Sequence, residues 1–403
     1  MIPAIRRRTA AAVISAAMAM SPTAHVSALS GAHVDEWWLD SWGISRIWPT
    51  TTGSGVTVAV LDSGVNANLP QLSGRVLPGG DMSGGNTDGR KDLDEEKDGH
   101  GTAMAALIAS QPRGIRLVGV APDSRILSVR VSSGPIGSIA QPATVDGIRF
   151  ATDHGAQVIS ISLGFNGEMI PAHCPADFQA AIAYAAQHNI VVIAAAGNSG
   201  NGLNPHEYPA SCAGVVAVGA VDETNRPWAN TQRQDYVTVS APGVRVGWLA
   251  SSGKYYPNGW RTSMATALTA GGVALVRSAH PEMSARTIVQ RMIATANPTA
   301  NSLPDSRTGY GVFRIHRVLD TAGFPVGANA PNPVYQRLDQ WMALQGITLG
   351  SRGMQQPHAK DKDTNHKSLG FIIASVAAIV SEALISLGIA ARSRKRSSSK
   401  RPQ

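Results

Sequence analysis

The segment TVDGIRFATDHGAQVISISLG, residues 144–164, contains the alternation that determines the fold. Its first part has the apolar spacing of a helix and stops at Gly155. Its second part, QVISISLG, is an apolar run of strand length. A near-continuous apolar strand that follows a helix is typical of a parallel sheet buried on both faces. The segment therefore predicts one helix–strand unit of an α/β protein.

The same alternation extends in both directions along the chain. Residues 55–65 and 124–131 are further apolar strand candidates, and residues 175–189 predict a helix with Pro near its start and Asn at its end. The runs IVVIAAAGNSG and GVVAVGAVD, residues 190–200 and 214–222, predict two more strands. We expect a three-layer α/β fold with a mostly parallel central sheet. Right-handed crossovers place the carboxyl ends of such strands along one edge, where ligands bind.

Three polar residues lie at element boundaries of this predicted sheet. Asp62 ends the strand of VAVLDSGV, His100 stands between glycines in DGHGTAMAALIAS, and Ser263 precedes the helix of GWRTSMATALTAGG. Each alone is ordinary for its place, as an Asx-turn, a helix-start residue and an N-cap serine. Together they are the set that nucleophilic hydrolysis requires, because a histidine must take the serine proton and a carboxylate must orient that histidine. Asp, His, Ser is one of the known chain orders of such a triad.

A fourth polar residue, Asn198, follows the apolar run of IVVIAAAGNSG within a glycine-bounded turn. A side-chain amide at that place can donate to the oxygen that becomes negative during acyl transfer. The backbone N–H of Ser263, at a helix N-terminus, supplies a second donor. The alternative is that Asn198 is simply a turn residue.

The blocks VAVLDSGV, GHGTAMA, AAAGNSG and TSMAT, in this order, resemble the four signature blocks of the subtilisin-like serine proteases. The resemblance covers roughly residues 54–320. It implies a subtilisin-like fold, a catalytic triad of Asp62, His100 and Ser263, and an oxyanion hole completed by Asn198. It implies no metal and no organic cofactor.

The same resemblance implies where a peptide substrate lies. Leu163 and Gly164, after the strand QVISI, correspond to the segment that pairs with the extended substrate as an added strand. Ala196 and Gly197 would line the pocket for the residue before the scissile bond. Small side chains there indicate a real cavity, but they do not identify its preferred occupant.

Both ends of the chain carry membrane signals. Residues 1–28 have the layout of a secretory signal peptide, although an uncleaved anchor is the alternative. Residues 369–391 form an apolar run of the length that spans a bilayer, with Glu382 inside it. The basic residues 392–403 follow directly and predict a cytoplasmic tail, so the body of the protein is expected outside the membrane.

The two membrane signals and the resemblance to subtilases together divide the chain into segments. We expect an N-terminal extension at residues 29–53, a peptidase domain at 54–322, and a Pro-rich, then polar tether at 323–368, where YQRLDQWMALQGI could form a short helix. This layout and the run WWLDSWGISRIW resemble the mycosins, membrane-anchored subtilases associated with type VII secretion in actinobacteria. About 25 residues separate the cleavage site from the first strand, too few for a folded inhibitory pro-domain.

The charge distribution and the cysteine content limit the classes of protein to which the chain could belong. The net charge of +8 is concentrated at the chain ends, which does not indicate a nucleic-acid-binding face. Cys174 and Cys212 are the only cysteines, and an even pair in an exported protein predicts one disulfide. The acidic run KDLDEEKDGH could bind calcium or raise the pKa of His100, but a solvated loop with offsetting lysines is the favoured interpretation.

Two residues depart from the family pattern around the serine. Arg261 stands where the family usually has Gly, and Ala267 stands where it usually has Pro. Ala267 favours a helix. Arg261 would be strained if its site needs a positive φ, and its side chain could crowd the cleft. We expect a membrane-anchored serine endopeptidase acting on protein or peptide substrates; the alternative is a catalytically impaired scaffold of a membrane secretion complex.

Overall fold

The computed structural model describes residues 36–94, 98–114, 117–132, 141–166 and 174–347. The predicted signal peptide at 1–28, the span at 369–391 and the basic tail at 392–403 lie outside the described residues. In the part of the chain that is described, no helix is both long enough and apolar enough to cross a membrane.

Eleven strands occur in the described residues. In chain order they are β1 (Thr57–Asp62), β2 (Val76–Asp81), β3 (Arg125–Arg130), β4 (Val158–Ile161), β5 (Phe165–Asn166), β6 (Val191–Ala195), β7 (Glu207–Tyr208), β8 (Val215–Val221), β9 (Val237–Pro242), β10 (Val244–Leu249) and β11 (Tyr255–Trp260). Seven of them form one parallel sheet in the order β2-β3-β1-β4-β6-β8-β9. The antiparallel pairs β5–β7 and β10–β11 stand apart from it.

The helices of the described residues follow the same numbering. They are α1 (Trp37–Ser41), α2 (Ile44–Ile47), α3 (His100–Ala109), α4 (Gln141–Asp153), α5 (Ala176–Gln187), α6 (Thr262–Ala279), α7 (Ala285–Ala294), α8 (Ile315–Leu319) and α9 (Pro333–Leu344).

Two apolar clusters lie on opposite faces of the sheet because successive strand side chains point to opposite sides. Val58 and Val60 of β1 join the cluster that contains α3, α6 and α7, whereas Ala59 and Leu61 join the cluster that contains α4 and α5. Both faces of the sheet are therefore covered by helices. The predicted three-layer α/β fold with a mostly parallel central sheet is confirmed.

Helix α6 crosses the middle of its layer, and its residues from Thr262 to Arg277 are all buried. Its small residues allow neighbouring chain segments to approach closely. A Cβ added to Gly271 would lie 2.8 Å from the Cβ of Val120, and one added to Gly272 would lie 2.7 Å from the ring of Phe313. This close packing fixes the N-terminus of α6, and with it Ser263, against the sheet.

Segments on both sides of the predicted peptidase domain pack into the same core. Trp38 and Trp42 are buried in it, and the indole of Trp48 donates to the carbonyl of Val120 at 3.0 Å. Helix α9 lies within the segment 323–368 that the sequence assigns to a tether, and Leu338 on its inner face is fully buried. The folded body thus includes this helix.

A disulfide joins Cys174 to Cys212, as the sequence predicts. It ties Cys174, two residues before the start of α5, to the segment that leads into β8. The two cysteines are 38 residues apart in the sequence, and the bond lies on one face of the sheet.

Candidate active site

The four polar residues singled out in the sequence meet at the carboxyl edge of the central sheet. Asp62 is the last residue of β1, and Asn198 follows β6 by three residues. His100 is the first residue of α3, and Ser263 is the second residue of α6. His100, Asn198 and Ser263 line one cavity of about 160 Å³, and Asp62 lies directly behind His100.

The carboxylate of Asp62 and the imidazole of His100 are within hydrogen-bond distance of each other. His100 Nδ1 lies 2.8 Å from Asp62 Oδ1 and 3.0 Å from Oδ2. Asp62 is fully buried, and its Oδ1 also accepts from the backbone N–H of Ser63 at 2.8 Å. A buried carboxylate against Nδ1 favours the tautomer with the proton on Nδ1. The Nε2 atom of a neutral His100 is then the basic atom of the ring.

Helix α3 begins at His100 without an N-cap side chain of its own, and outside side chains replace the cap. The N–H of His100 donates to Asp94 at 3.3 Å, and that of Gly101 donates to Ser63 Oγ at 3.0 Å. The N–H of Thr102 donates to Asp92 at 2.8 Å. The first three N–H groups of the helix are thereby satisfied, which fixes the backbone that carries the imidazole.

The interpretation of the acidic run as a solvated loop is wrong for Asp92 and Asp94. Asp94 is buried, and half-buried Asp92 accepts hydrogen bonds from Ser63 and from both the N–H and the hydroxyl of Thr102. Burial raises the pKa of Asp92 against the opposing effect of these bonds. The sequence signal for this capping role was the presence of acidic residues before the predicted helix start, because carboxylates stabilise helix N-termini. The described residues contain no group of three or more acidic, histidine or cysteine side chains placed to hold a metal ion.

Ser263 is buried, and its hydroxyl donates to the carbonyl of Ser162 at 2.9 Å. The hydroxyl of Ser162 donates in return to the carbonyl of Ser263 at 3.1 Å. These reciprocal bonds join the first turn of α6 to the segment after β4. They place the Ser263 side chain on the wall of the cavity that His100 also lines.

The orientation of the Asn198 amide follows from its partners. Its Oδ1 accepts from the backbone N–H and from the hydroxyl of Thr262, each at 2.9 Å. A backbone N–H can only donate, so the oxygen must face Thr262 and the Nδ2 group must face the other way. Asn198 lines the cavity, and its Nδ2 makes no hydrogen bond to another described residue. The amide is therefore available to an oxygen that enters the cavity.

Two glycine-containing segments form the walls of this cavity. Leu163 and Gly164 line one side, and Gly197 lines the other, as expected from the sequence. Gly197 has a φ of +114°, a conformation that favours glycine. Ala196 is fully buried and does not line the cavity; its neighbour Ala195 does.

Glu207, a residue that the sequence reasoning missed, lies between these walls. Its antiparallel pairing with Asn166 in β5–β7 brings it to the cavity. It is only 6% exposed, and burial raises its pKa from the usual 4.5 to about 7. No local pattern identifies it, because a two-residue pairing between distant segments leaves no periodic signal.

Arg261 adopts an extended backbone with φ −161° and ψ 148°, so the side chain imposes no backbone strain at this site. The guanidinium is exposed, and its Nη1 donates to the carbonyl of Trp260 at 3.0 Å. Ala267 is buried in the interior of α6. The two departures from the family pattern therefore leave the start of α6 intact.

A second, larger cavity of about 410 Å³ lies on the other side of His100. His100 and Arg261 line both cavities. Trp248 and Tyr256 line the larger one, with their rings stacked at a centroid distance of 4.5 Å. The imidazole thus lies where a small pocket meets a larger aromatic one. An extended ligand could occupy both pockets and pass beside the imidazole.

The comparisons with known proteins agree with this geometry. The Subtilase family, Peptidase S8, matches residues 53–311. Fervidolysin of Fervidobacterium pennivorans is 30% identical over 318 residues, which are 70% of this chain and 43% of fervidolysin. The aligned part of the chain thus spans less than half of that relative's length.

Two solved structures of mycosins are also similar. MycP1 with its N-terminal propeptide removed matches with a TM-score of 0.63 at 29% identity, covering 72% of this chain and 98% of that chain. The MycP3 protease from the type VII (ESX-3) secretion system matches with a TM-score of 0.60 at 29% identity, covering 75% of this chain and 90% of that chain. The resemblance to the mycosins is confirmed.

Replacing Asp92 tests the external cap of α3. In a Ser263→Ala background, which removes the candidate nucleophile, Asp92→Ala should lower the free energy of unfolding by roughly 3 kcal/mol, because it leaves buried donors of Thr102 without an acceptor. Chemical denaturation of the purified chain measures the change. Asp88→Ala is the matched control, since Asp88 pairs on the surface with Arg90 and should cost less than about 1 kcal/mol. Equal effects of the two substitutions would contradict the capping role.

The raised pKa of Glu207 predicts a loss of stability with rising pH. The folded state holds the Glu207 proton more tightly than the unfolded state, so the burial cost is absent below pH 4.5 and complete above about pH 7. In the Ser263→Ala background, Glu207→Gln should therefore raise the free energy of unfolding more at pH 8 than at pH 4. The difference between the two effects should be up to about 3 kcal/mol. Denaturation at the two pH values checks this. The exposed control Glu282→Gln should show no comparable change, and a pH-independent effect of Glu207→Gln would contradict the prediction.

Proposed function

The chain belongs to the subtilase family, and on that premise we propose that it is a serine endopeptidase that cleaves peptide bonds with Asp62, His100 and Ser263. The observation that carries this proposal is the bifurcated hydrogen bond between His100 Nδ1 and both oxygens of a buried carboxylate, beside a cavity lined by Ser263 and Asn198. A metal would have no part in this chemistry, since the alcohol and the imidazole supply the nucleophile and the base.

The first half of the reaction forms an acyl-enzyme. The Ser263 hydroxyl leaves the Ser162 carbonyl, turns toward His100 and gives its proton to Nε2 as Oγ attacks the substrate carbonyl carbon. Asp62 holds the Nδ1 proton in place and stabilises the imidazolium that forms. The imidazolium then gives its proton to the leaving amine, and the peptide C–N bond breaks.

The negative oxygen of the tetrahedral intermediate needs donors that are already in place. The Nδ2 group of Asn198 is held by the two bonds that its oxygen accepts from Thr262. The backbone N–H of Ser263 lies in the first turn of α6, where helix N–H groups have no partner within the helix. Water then attacks the acyl-enzyme with His100 again as the base, and the acid product leaves.

We also propose an extracytoplasmic, membrane-anchored location and an association with type VII secretion. The apolar run at 369–391 and the basic residues after it support the anchor. The similarity to MycP1 and to MycP3, a protease from a type VII secretion system, supports the association. The protein would then process protein substrates at the outer face of the membrane, with its span available to partner helices through Glu382.

A fluorophosphonate probe applied to fractions of cells that produce the full chain tests both proposals. Wild type should be labelled in the membrane fraction, and Ser263→Ala should not be labelled, because the probe reacts with an activated serine. Arg261→Gly should change labelling less than tenfold, since Arg261 imposes no backbone strain. Labelling that appears only after Arg261→Gly would support the impaired scaffold instead, and labelling confined to the soluble fraction would contradict the anchor.

A further inference from the structure

We propose that Glu207 makes the cavity beside Ser263 a binding site for a basic side chain, so that the enzyme prefers Arg or Lys immediately before the scissile bond. This inference rests on the proposed peptidase function and names the substrate class of the same site. Glu207 lies between the two glycine-containing walls of the cavity.

The walls leave the Glu207 side chain uncovered because both contain glycine where they meet it. A Cβ added to Gly164 would lie 2.7 Å from Glu207 Oε2, and one added to Gly197 would lie 2.5 Å from Glu207 Cγ. The carboxylate therefore lies beside Gly164 at one wall, and the aliphatic part of the side chain packs under the other. An occupant of the cavity meets the carboxylate without an intervening side chain.

The Glu207 carboxylate has no partner of its own in the described residues. The nearby hydroxyl of Tyr236 accepts from the Glu207 backbone N–H and donates to the carbonyl of Ala196, so its proton is used elsewhere. No described cation forms an ion pair with Glu207, and burial raises its pKa to about 7. An unpaired carboxylate at 6% exposure is costly to the fold. A cation supplied by the substrate would offset that cost.

The other charged groups of the cavity do not replace that cation. Arg261 lines its rim, but the side chain is exposed and its guanidinium bonds to the Trp260 carbonyl. His100 is held by Asp62. With a volume of about 160 Å³ the cavity is smaller than the 300–1,000 Å³ typical of sites for drug-sized ligands, so one substrate side chain fills it.

Arginine and lysine fit this chemistry better than other residues. A guanidinium offers several donors to one carboxylate, and an ammonium offers three. An apolar occupant would bury the carboxylate further without a partner, and an acidic occupant would add a like charge to it. The pocket therefore selects by charge as well as by size.

The test compares two peptides that differ only before the scissile bond, with arginine in one and citrulline in the other. Citrulline has the same length and nearly the same shape but no charge. For the full chain in detergent at pH 8, kcat/KM should be at least about tenfold higher for the arginine peptide, because hydrogen bonds between charged groups are the stronger ones. Glu207→Gln keeps the side-chain size and should bring the ratio close to one.

The control variant is Asp235→Asn, which removes an exposed carboxylate outside the cavity and should leave the ratio unchanged. Fluorophosphonate labelling of every variant shows that each is folded with a reactive serine. Cleavage without an arginine preference, or a preference that survives Glu207→Gln, overturns the inference while the peptidase function stands. Absence of both cleavage and labelling overturns the peptidase function, and the inference with it.

Discussion

The site depends on the contact between the buried carboxylate of Asp62 and Nδ1 of His100. A carboxylate at zero exposure is tolerable only when donors surround it, and here the imidazole and the N–H of Ser63 supply them. The contact also decides which ring nitrogen is basic, because the proton on Nδ1 leaves Nε2 as the basic atom. Because the imidazole belongs to the first residue of α3, the contacts that hold the start of that helix also hold the imidazole.

Close backbone approach is the second constraint on the site, and it explains the glycines around it. A Cβ on Gly101 would lie 2.1 Å from the carbonyl oxygen of Gly64, so α3 packs directly on the turn after β1. The reciprocal bonds between the hydroxyls and carbonyls of Ser162 and Ser263 join the start of α6 to the segment after β4. His100 and Ser263 are thus held both by close backbone approach and by hydrogen bonds from side chains of neighbouring elements.

The placement of Asp62, His100, Asn198 and Ser263 could be predicted because each lies at the end of a strongly patterned strand or helix, and parallel topology brings such ends to one edge. For Asp92 and Asp94 the sequence offered only a general signal, acidic residues before a helix start, and their individual partners, the N–H groups of Thr102 and His100, followed only from the fold. Glu207 was missed because a two-residue strand pairing decides its position. The packing of α9 depends on long-range contacts such as that of the fully buried Leu338 with Gly214, in the segment before β8.

One crystal structure tests most directly whether His100, Asn198 and Ser263 converge on a substrate. It is that of the chain after reaction with a peptidyl diphenyl phosphonate. We predict a covalent bond from Ser263 Oγ to phosphorus, with His100 Nε2 facing the adduct. We also predict a phosphoryl oxygen about 3 Å from both Asn198 Nδ2 and the N–H of Ser263. An unmodified Ser263 still bonded to the Ser162 carbonyl, or a phosphoryl oxygen turned away from Asn198, would contradict the proposed triad and oxyanion hole.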